Sequence, residues 1–396
     1  MRVLQRLFLA ALTLSFLVSR CHAQSATDEE LRQQIETIVS DVTHLSEPGL
    51  ALLVKRGATV YIEKGYGVRE FGKPARIDPT TNFRLASVTK QFTAMAIMLL
   101  AHDGKLRYED RLTDIWPDFP AYGKDVTVRH LLTHTSGLPD YEQLMEQVEK
   151  KSGPLWSAEH QIQDAEVLDL LKQQSAGKFA PGTSWAYSNS AYVVLGLIIA
   201  KKSGSSYAEF LERRIFAPLG MKHTMVYQRG KNKVSERAFG HSPLVQERSA
   251  RAQLFAVDDQ SSTSATLGDG GIYSNLEDIS KWDEALQNRT LLSAKEMQPA
   301  LTPVPLVDGS EPRWPQESDE DNLDPGKPVS YGFGWFLNPY HDHTRMWHSG
   351  STEGFRNVIQ RFTADSITIV VLSNRTDLNP RALSEKIADI LLEEKK

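Results

Sequence analysis

The run Gln91-Phe92-Thr93-Ala94-Met95-Ala96-Ile97-Met98-Leu99-Leu100 contains no glycine or proline, and Phe92, Met95, Ala96 and Leu99 recur at helical spacing. It reads as a buried helix, so the rest of the chain has to cover it. Directly before it stands Phe83-Arg84-Leu85-Ala86-Ser87-Val88-Thr89-Lys90. Ser87 therefore lies at or near the helix start, with Lys90 one turn on and on the same face. A serine hydroxyl is a weak nucleophile until a neighbouring base takes its proton. A desolvated lysine can be that base. The helix start adds unpaired N–H groups and a partial positive charge, and both favour an oxyanion beside Ser87.

Ser-x-x-Lys alone is a weak signal, and the chain carries a second copy, Ser175-Ala176-Gly177-Lys178. There Gly177 and then Pro181-Gly182 are stop signals, so that copy reads as a helix end without chemistry. Two further motifs give Ser87 its weight. Tyr187-Ser188-Asn189 precedes a strongly apolar segment. A tyrosine near a lysine can share its proton and then accept one from serine. An asparagine offers a donor and an acceptor to an amide-like substrate. The same three letters recur at Tyr273-Ser274-Asn275, where Ser274 or Asn275 reads as a helix cap. His348-Ser349-Gly350 follows Arg345-Met346-Trp347 and leads into Ser351. Small residues there let a substrate backbone lie along a strand edge. The Ser351 N–H can complete an oxyanion hole with that of Ser87. Gly270-Gly271 is suited to a close backbone approach at the floor of the site, or to a simple turn.

The N-terminus reads as a targeting segment. Arg2 and Arg6 precede the apolar run Leu7 to Val18, and Cys21-His22-Ala23 is a plausible cleavage site before Gln24. The rival is lipidation at Cys21, which the bulky Arg20 disfavours. Loss of residues 1–23 removes three arginines and takes the formal charge from −5 to −8. It also removes the only cysteine, so the mature chain has no disulfide, thiolate chemistry or cysteine metal site. That charge gives no reason to expect nucleic acid as a partner. The expected protein is exported, to the periplasm or beyond, with no stable membrane insertion once cleaved.

Further along, residues 27–41 read as an amphipathic helix. Leu50–Val54 and Thr59–Ile62 read as strands around a turn at Arg56-Gly57, and Gly65-Tyr66-Gly67 breaks the second. From about 108 to 261 the chain is helix and loop. Strands return at Tyr331–Trp335, then as a hairpin of Phe355–Phe362 and Ser366–Ser373, before a last helix over 380–393. Strands at both ends with helices between imply one sheet from distant segments (about 24–107 and 262–396) and an inserted helical lobe. Residues 303–330, with six prolines and many acids, read as a mobile surface loop.

Ser87-x-x-Lys90, Tyr187-x-Asn189 and His348-x-Gly350 have the order and broad spacing of the class C β-lactamase and DD-peptidase superfamily of serine hydrolases. Arg129-His130-Leu131-Leu132-Thr133-His134-Thr135-Ser136-Gly137-Leu138 and Phe216-Ala217-Pro218-Leu219-Gly220-Met221 resemble it too. The resemblance covers about 49–392. It implies an α/β (α+β) fold, an antiparallel sheet flanked by helices with an all-α lobe. It implies an acyl-enzyme on Ser87, with Lys90 and Tyr187 as base system, no cofactor, and a small-molecule or peptide substrate. Asn189, His348, Ser349, Gly350 and Ser351 would bind that substrate. The departure is the third motif, where β-lactamases usually carry Lys-Thr-Gly. The histidine form looks more like family esterases and aminopeptidases. A histidine is largely neutral above pH 6.5, so it holds a substrate carboxylate less firmly than lysine does. The expected substrate is therefore an ester or a D-amino-acid peptide or amide. A true β-lactamase, a penicillin-binding DD-carboxypeptidase and a non-catalytic penicillin-binding-like protein are the alternatives.

A metal enzyme is a rival on His130, His134, His341 and His343. The His-Glu-x-x-His pattern fails at Leu131, and His341 and His343 would point to opposite faces of a strand. Asn288-Arg289-Thr290 and Asn374-Arg375-Thr376 match the glycosylation pattern, which has meaning only in a eukaryotic secretory pathway.

Overall fold

The structure, a computed structural model, describes residues 28–244, 254–316 and 324–393. The targeting segment 1–23 lies outside these. After helix α1 (28–40), strands β1 (Leu50–Arg56) and β2 (Thr59–Tyr66) form a hairpin. Strand β3 (Phe83–Arg84) runs through a 3₁₀ turn at Ala86–Val88 into helix α2 (Thr89–His102). The lobe follows with α3 (Leu112–Ile115), α4 (Val128–Leu132), α5 (Tyr141–Ser152), α6 (Asp164–Lys172), α7 (Asn189–Ser203), α8 (Tyr207–Leu211) and α9 (Ala217–Leu219). It also contains the short strands β4 (Met225–Val226), β5 (His241–Pro243) and β6 (Phe255–Val257), so it is not purely helical. Then come β7 (Ile272–Ser274), α10 (Leu276–Asn288), α11 (Ala294–Met297), β8 (Arg345–Thr352), β9 (Phe355–Phe362), β10 (Ile367–Ser373) and α12 (Pro380–Glu393).

The main sheet is antiparallel in the order β2-β1-β10-β9-β8, so the last strands insert beside the first and β8 is an edge. Side chains alternate across a strand. Leu50, Leu52 and Val54 of β1 face one core, with Leu31 and Ile35 of α1 and Ile387 and Leu391 of α12. Ala51 and Leu53 face the other, with α2 and the lobe. Two covered faces are why β1 reads as an unbroken apolar run. All of Thr89 to Leu100 in α2 is buried, and α7 packs beside it. A second sheet, β3-β7-β4, carries the chain into the Ser87 turn and ties it to the lobe.

One sequence expectation changes. Tyr331–Trp335 is not a strand: Gly334 has φ +75°, and a Cβ there would meet Lys90 O at 2.7 Å. The alternating glycines serve a close turn against the start of α2 rather than a pleat. Most described side chains of 303–330 are exposed, and the stretch is anchored at two points. Trp314 is buried and stacks on Phe336, and Val307 N–H donates to Gly182 O at 2.9 Å. The buried Asn374 donates to Val68, Arg69 and Phe239 carbonyls, so it cannot accept a glycan as folded. Among the described residues, no helix is long and apolar enough to cross a membrane.

Candidate active site

Ser87 sits in the 3₁₀ turn rather than in α2 itself, half-buried, after Ala86 at φ +50°. Alanine rarely adopts left-handed backbone, and such strain persists only where the surroundings over-determine it. Here the surroundings are β8: a Cβ on Gly350 would meet Leu85 O at 2.2 Å and Ser87 N at 3.2 Å. Glycine at the third motif thus lets the edge strand touch the serine turn. Trp347 exchanges both backbone hydrogen bonds with Phe336, on the side away from β9. Alternation along an antiparallel strand turns the N–H groups of Ser349 and Ser351 the same way, along the open edge. Gly270 lies against Ala86, its Cβ position 3.7 Å from Ala86 Cα.

Lys90 is fully buried, and its Nζ donates to Ser87 Oγ at 2.9 Å, Asn189 Oδ1 at 2.8 Å and Asp269 O at 3.1 Å. With one proton gone, an amine still donates to two of these oxygens and keeps a lone pair for the third. Ser87 Oγ is the one of the three that carries a proton of its own. The Lys90 ammonium also lies 4.8 Å from the Tyr187 ring centre. Ser188 caps α7, accepting from Ala191 N–H, which puts Asn189 at the first turn beside Lys90. The other copy behaves as expected of a cap: Asn275 accepts from Asp278 N–H at the start of α10. Ser175 and Lys178 are exposed.

The His348 side chain departs from its expected role as a substrate contact. It is 1% exposed and turned inward, with Nδ1 2.6 Å from Ser349 O and Nε2 3.0 Å from Tyr331 Oη. Burial, then the charge of Lys90, lowers its pKa to about 3, against the pull of the Ser349 carbonyl. Burial likewise raises Tyr331 well above its usual pKa. The consistent pattern is a neutral imidazole, protonated at Nδ1 and accepting at Nε2 from the tyrosine hydroxyl.

Sequence reading missed three contributors. Asp269 supplies a carbonyl to Lys90, while burial raises its own carboxyl pKa against the opposing charge of Lys90. Behind it, Asp164 is raised to about 8 by burial and then by Asp269, with Leu267 N–H opposing. His134 holds the Tyr187 segment, its Nδ1 3.1 Å from Ser188 N. In the sequence it stands only among the metal-ligand candidates and inside the family-like stretch 129–138. His130 accepts instead from Thr127 N–H, and His341 and His343 go to separate carboxylates, Asp389 and Asp365.

The Beta-lactamase family pattern matches residues 36–394. The chain belongs to the Beta-lactamase family. Among curated members and relatives, Penicillin-binding protein 4* of Bacillus subtilis (strain 168) is 29% identical over 355 residues, 87% of this chain and 72% of that protein. Protein flp of Staphylococcus aureus (strain MW2) is 28% identical over 352 residues. The alignment takes 87% of this chain but 63% of flp, so the chain spans less than two thirds of that relative. Two solved structures share the fold. A D-amino acid amidase from Ochrobactrum anthropi SV3 gives a TM-score of 0.72 at 24% identity, over 93% of this chain and all of that one. An octameric penicillin-binding protein homologue from Pyrococcus abyssi gives 0.71 at 24%, over 92% and 77%. Within the Beta-lactamase family pattern, His348-Ser349-Gly350 occupies the edge strand beside Ser87.

Proposed function

We propose that this protein is an exported serine hydrolase that cleaves an ester or a D-amino-acid peptide or amide bond through an acyl-enzyme on Ser87. The observation that carries the reading is Lys90 Nζ, enclosed and 2.9 Å from Ser87 Oγ. Lys90, with Tyr187 against it, takes the serine proton as Oγ bonds to the substrate carbonyl carbon. The oxyanion lies against the N–H groups of Ser87 and Ser351, and Asn189 meets the acyl side chain. The proton passes to the leaving alcohol or amine, and water then hydrolyses the ester on Ser87.

The substrate class rests on His348. A buried, neutral imidazole with both nitrogens engaged brings no cation to a substrate carboxylate, unlike lysine at that position. A fold neighbour named D-amino acid amidase agrees with a D-amino-acid amide, while the name of the relative, penicillin-binding protein, points to the β-lactam alternative.

The test is a fluorophosphonate probe followed by kcat/KM for p-nitrophenyl esters, D-amino-acid amides and a chromogenic cephalosporin. The probe's mass is expected on the Ser87 peptide, with measurable short-ester or D-amide turnover and slow or absent cephalosporin turnover. Labelling undiminished in Ser87→Ala rules out the nucleophile. Cephalosporin turnover near ~10⁶ M⁻¹s⁻¹, within the range of efficient enzymes, with esters far below it, makes the protein a true β-lactamase.

A further inference from the structure

One buried residue holds the Tyr187 segment from both sides. The His134 carbonyl accepts from Ala186 N–H at 3.0 Å, and its ring Nδ1 accepts from Ser188 N–H at 3.1 Å. These are the two neighbours of Tyr187 in the chain. The imidazole also lies against the Tyr187 ring, 4.5 Å between centres at 35°. His134 is wholly buried and has φ +60°, left-handed backbone like that of Ala86 before Ser87. Its flanks carry the same loop: Thr135 O accepts from Gly182 N–H at 2.8 Å and Gly137 O from Lys178 N–H at 2.7 Å. The ring is walled by Trp185, Tyr192 and Tyr331 as well as Tyr187, and its Nε2 has no hydrogen-bond partner. An enclosed donor left unpaired is costly, so the ring is placed for its other nitrogen and its face.

We propose that His134 is the positioning residue for Tyr187, a neutral imidazole whose Nδ1 and carbonyl bracket the tyrosine and whose face sets its ring over Lys90. It touches neither substrate nor Ser87 and acts through Tyr187 alone. Accepting at Nδ1 requires the Nε2–H tautomer, and the imidazolium has no acceptor left for Ser188. Burial, then the charge of Lys90, keeps the ring in that neutral form. Displacing a reacting group by about 1 Å is enough to cost ~10²-fold in rate.

The inference rests on Tyr187 belonging to the base system, and the experiment separates the two claims. The measured quantity is fluorophosphonate labelling of Ser87 in the full chain, as maximal rate and half-saturating concentration. His134→Phe keeps a flat ring and loses the acceptor. Its maximal rate is expected to fall ~10²-fold with half-saturation within a few-fold. His134→Asn offers an acceptor near the place of Nδ1 and tolerates left-handed backbone. It is expected to recover to within ~10-fold of wild type. In a Tyr187→Phe background either substitution should add almost nothing, because the device has lost what it positions. Full additive loss in that background overturns the proposal. If His134→Phe does not fold, the same cycle with His134→Asn decides it. Hydrogen exchange supplies a readout independent of catalysis. The peptide spanning 183–191 should exchange at least ~10-fold faster in His134→Phe, through the freed Ser188 amide. Unchanged exchange overturns the proposal. If Tyr187→Phe alone leaves labelling intact, the base assignment fails, and the positioning claim stands or falls on exchange.

Discussion

Among the described residues two lysines are buried, and they are held in opposite ways. Lys55 on β1 meets the Asp283 carboxylate of α10 at 2.6 Å, and Arg361 and Thr368 complete the cluster. Lys90 is hydrogen-bonded to a hydroxyl, an amide and a backbone carbonyl, all neutral oxygens. The carboxyls nearby differ in the same sense. Burial alone would raise Asp283, but Arg361 and Lys55 outweigh it and hold it below its usual range. At Asp269 and Asp164 burial wins, and both pKa values are raised. One lysine is balanced by an ionised partner and ties a helix to a sheet. The other donates to three neutral oxygens, one of them on the serine of the site. The lesson is that burial alone does not mark a functional lysine; the character of its acceptors does.

The largest expected effect breaks or keeps this contrast directly. Lys90→Ala and Tyr187→Phe should each slow Ser87 acylation by ~10²-fold or more, the scale of general-base catalysis. As one proton-sharing unit, their barriers should not add in the double variant. Lys90→Met, which keeps the buried volume and leaves Asn189 Oδ1 and Asp269 O without this donor, should lose less stability than the Lys55→Met protein below, since those acceptors are neutral. An equal or larger loss in Lys90→Met would erase the distinction between the two lysines. The mirror experiment is Lys55→Met. It strands a buried carboxylate, and ~3 kcal/mol of stability should go, the low end for a broken buried pair because Arg361 remains. Denaturant titration measures that loss, while the labelling rate per folded molecule is expected to be unchanged.

Which of these features a sequence reader can see follows from distance along the chain. Ser87 and Lys90 are one turn apart, and Tyr187 and Asn189 flank a cap, so local spacing exposes them. The hairpin of β9 and β10 is legible for the same reason. Asp269 reaches Lys90 from 179 residues away and through its carbonyl, which no side-chain pattern reveals. His134 stands within the family-like stretch 129–138, but its partner Ser188 N–H is 54 residues off and belongs to the backbone. Tyr331–Trp335 misled because alternating glycines and aromatics imitate a strand when they serve close packing. His348 was visible as a letter, while its inward rotamer was not.

A smaller effect sharpens the contrast through the acids behind Lys90. Asp164 is raised from 3.8 to about 8, so the folded state keeps a proton that the unfolded chain releases. Stability on this account is greatest below about pH 4 and falls as pH rises through about 8. Asp164→Asn removes the dependence and keeps an acceptor for Leu267 N–H. Its melting temperature relative to wild type should climb by ~3 °C between pH 5 and pH 9. A constant difference across that range would mean that Asp164 is ionised at neutral pH. The least effect is expected at His348. With a pKa near 3 it stays neutral from pH 5 to 8, so the pH–rate profile of ester hydrolysis should show no step from it. His348→Gln should change the height of that profile and leave its shape. An inflection near pH 6.5 that disappears in the variant would restore a titrating histidine to the site.

On the proposed reading, in which substrate lies along the edge strand beside Ser87, that strand also sets a length. Phe336 closes it at Trp347, and the chain turns away at Glu353-Gly354. Between them the stretch Ser349–Ser351 is ~7 Å long at the usual rise of an extended chain. That is room for one residue to lie flat and be read in register. Among the described residues no ladder continues on either side to hold anything longer in the plane of the sheet.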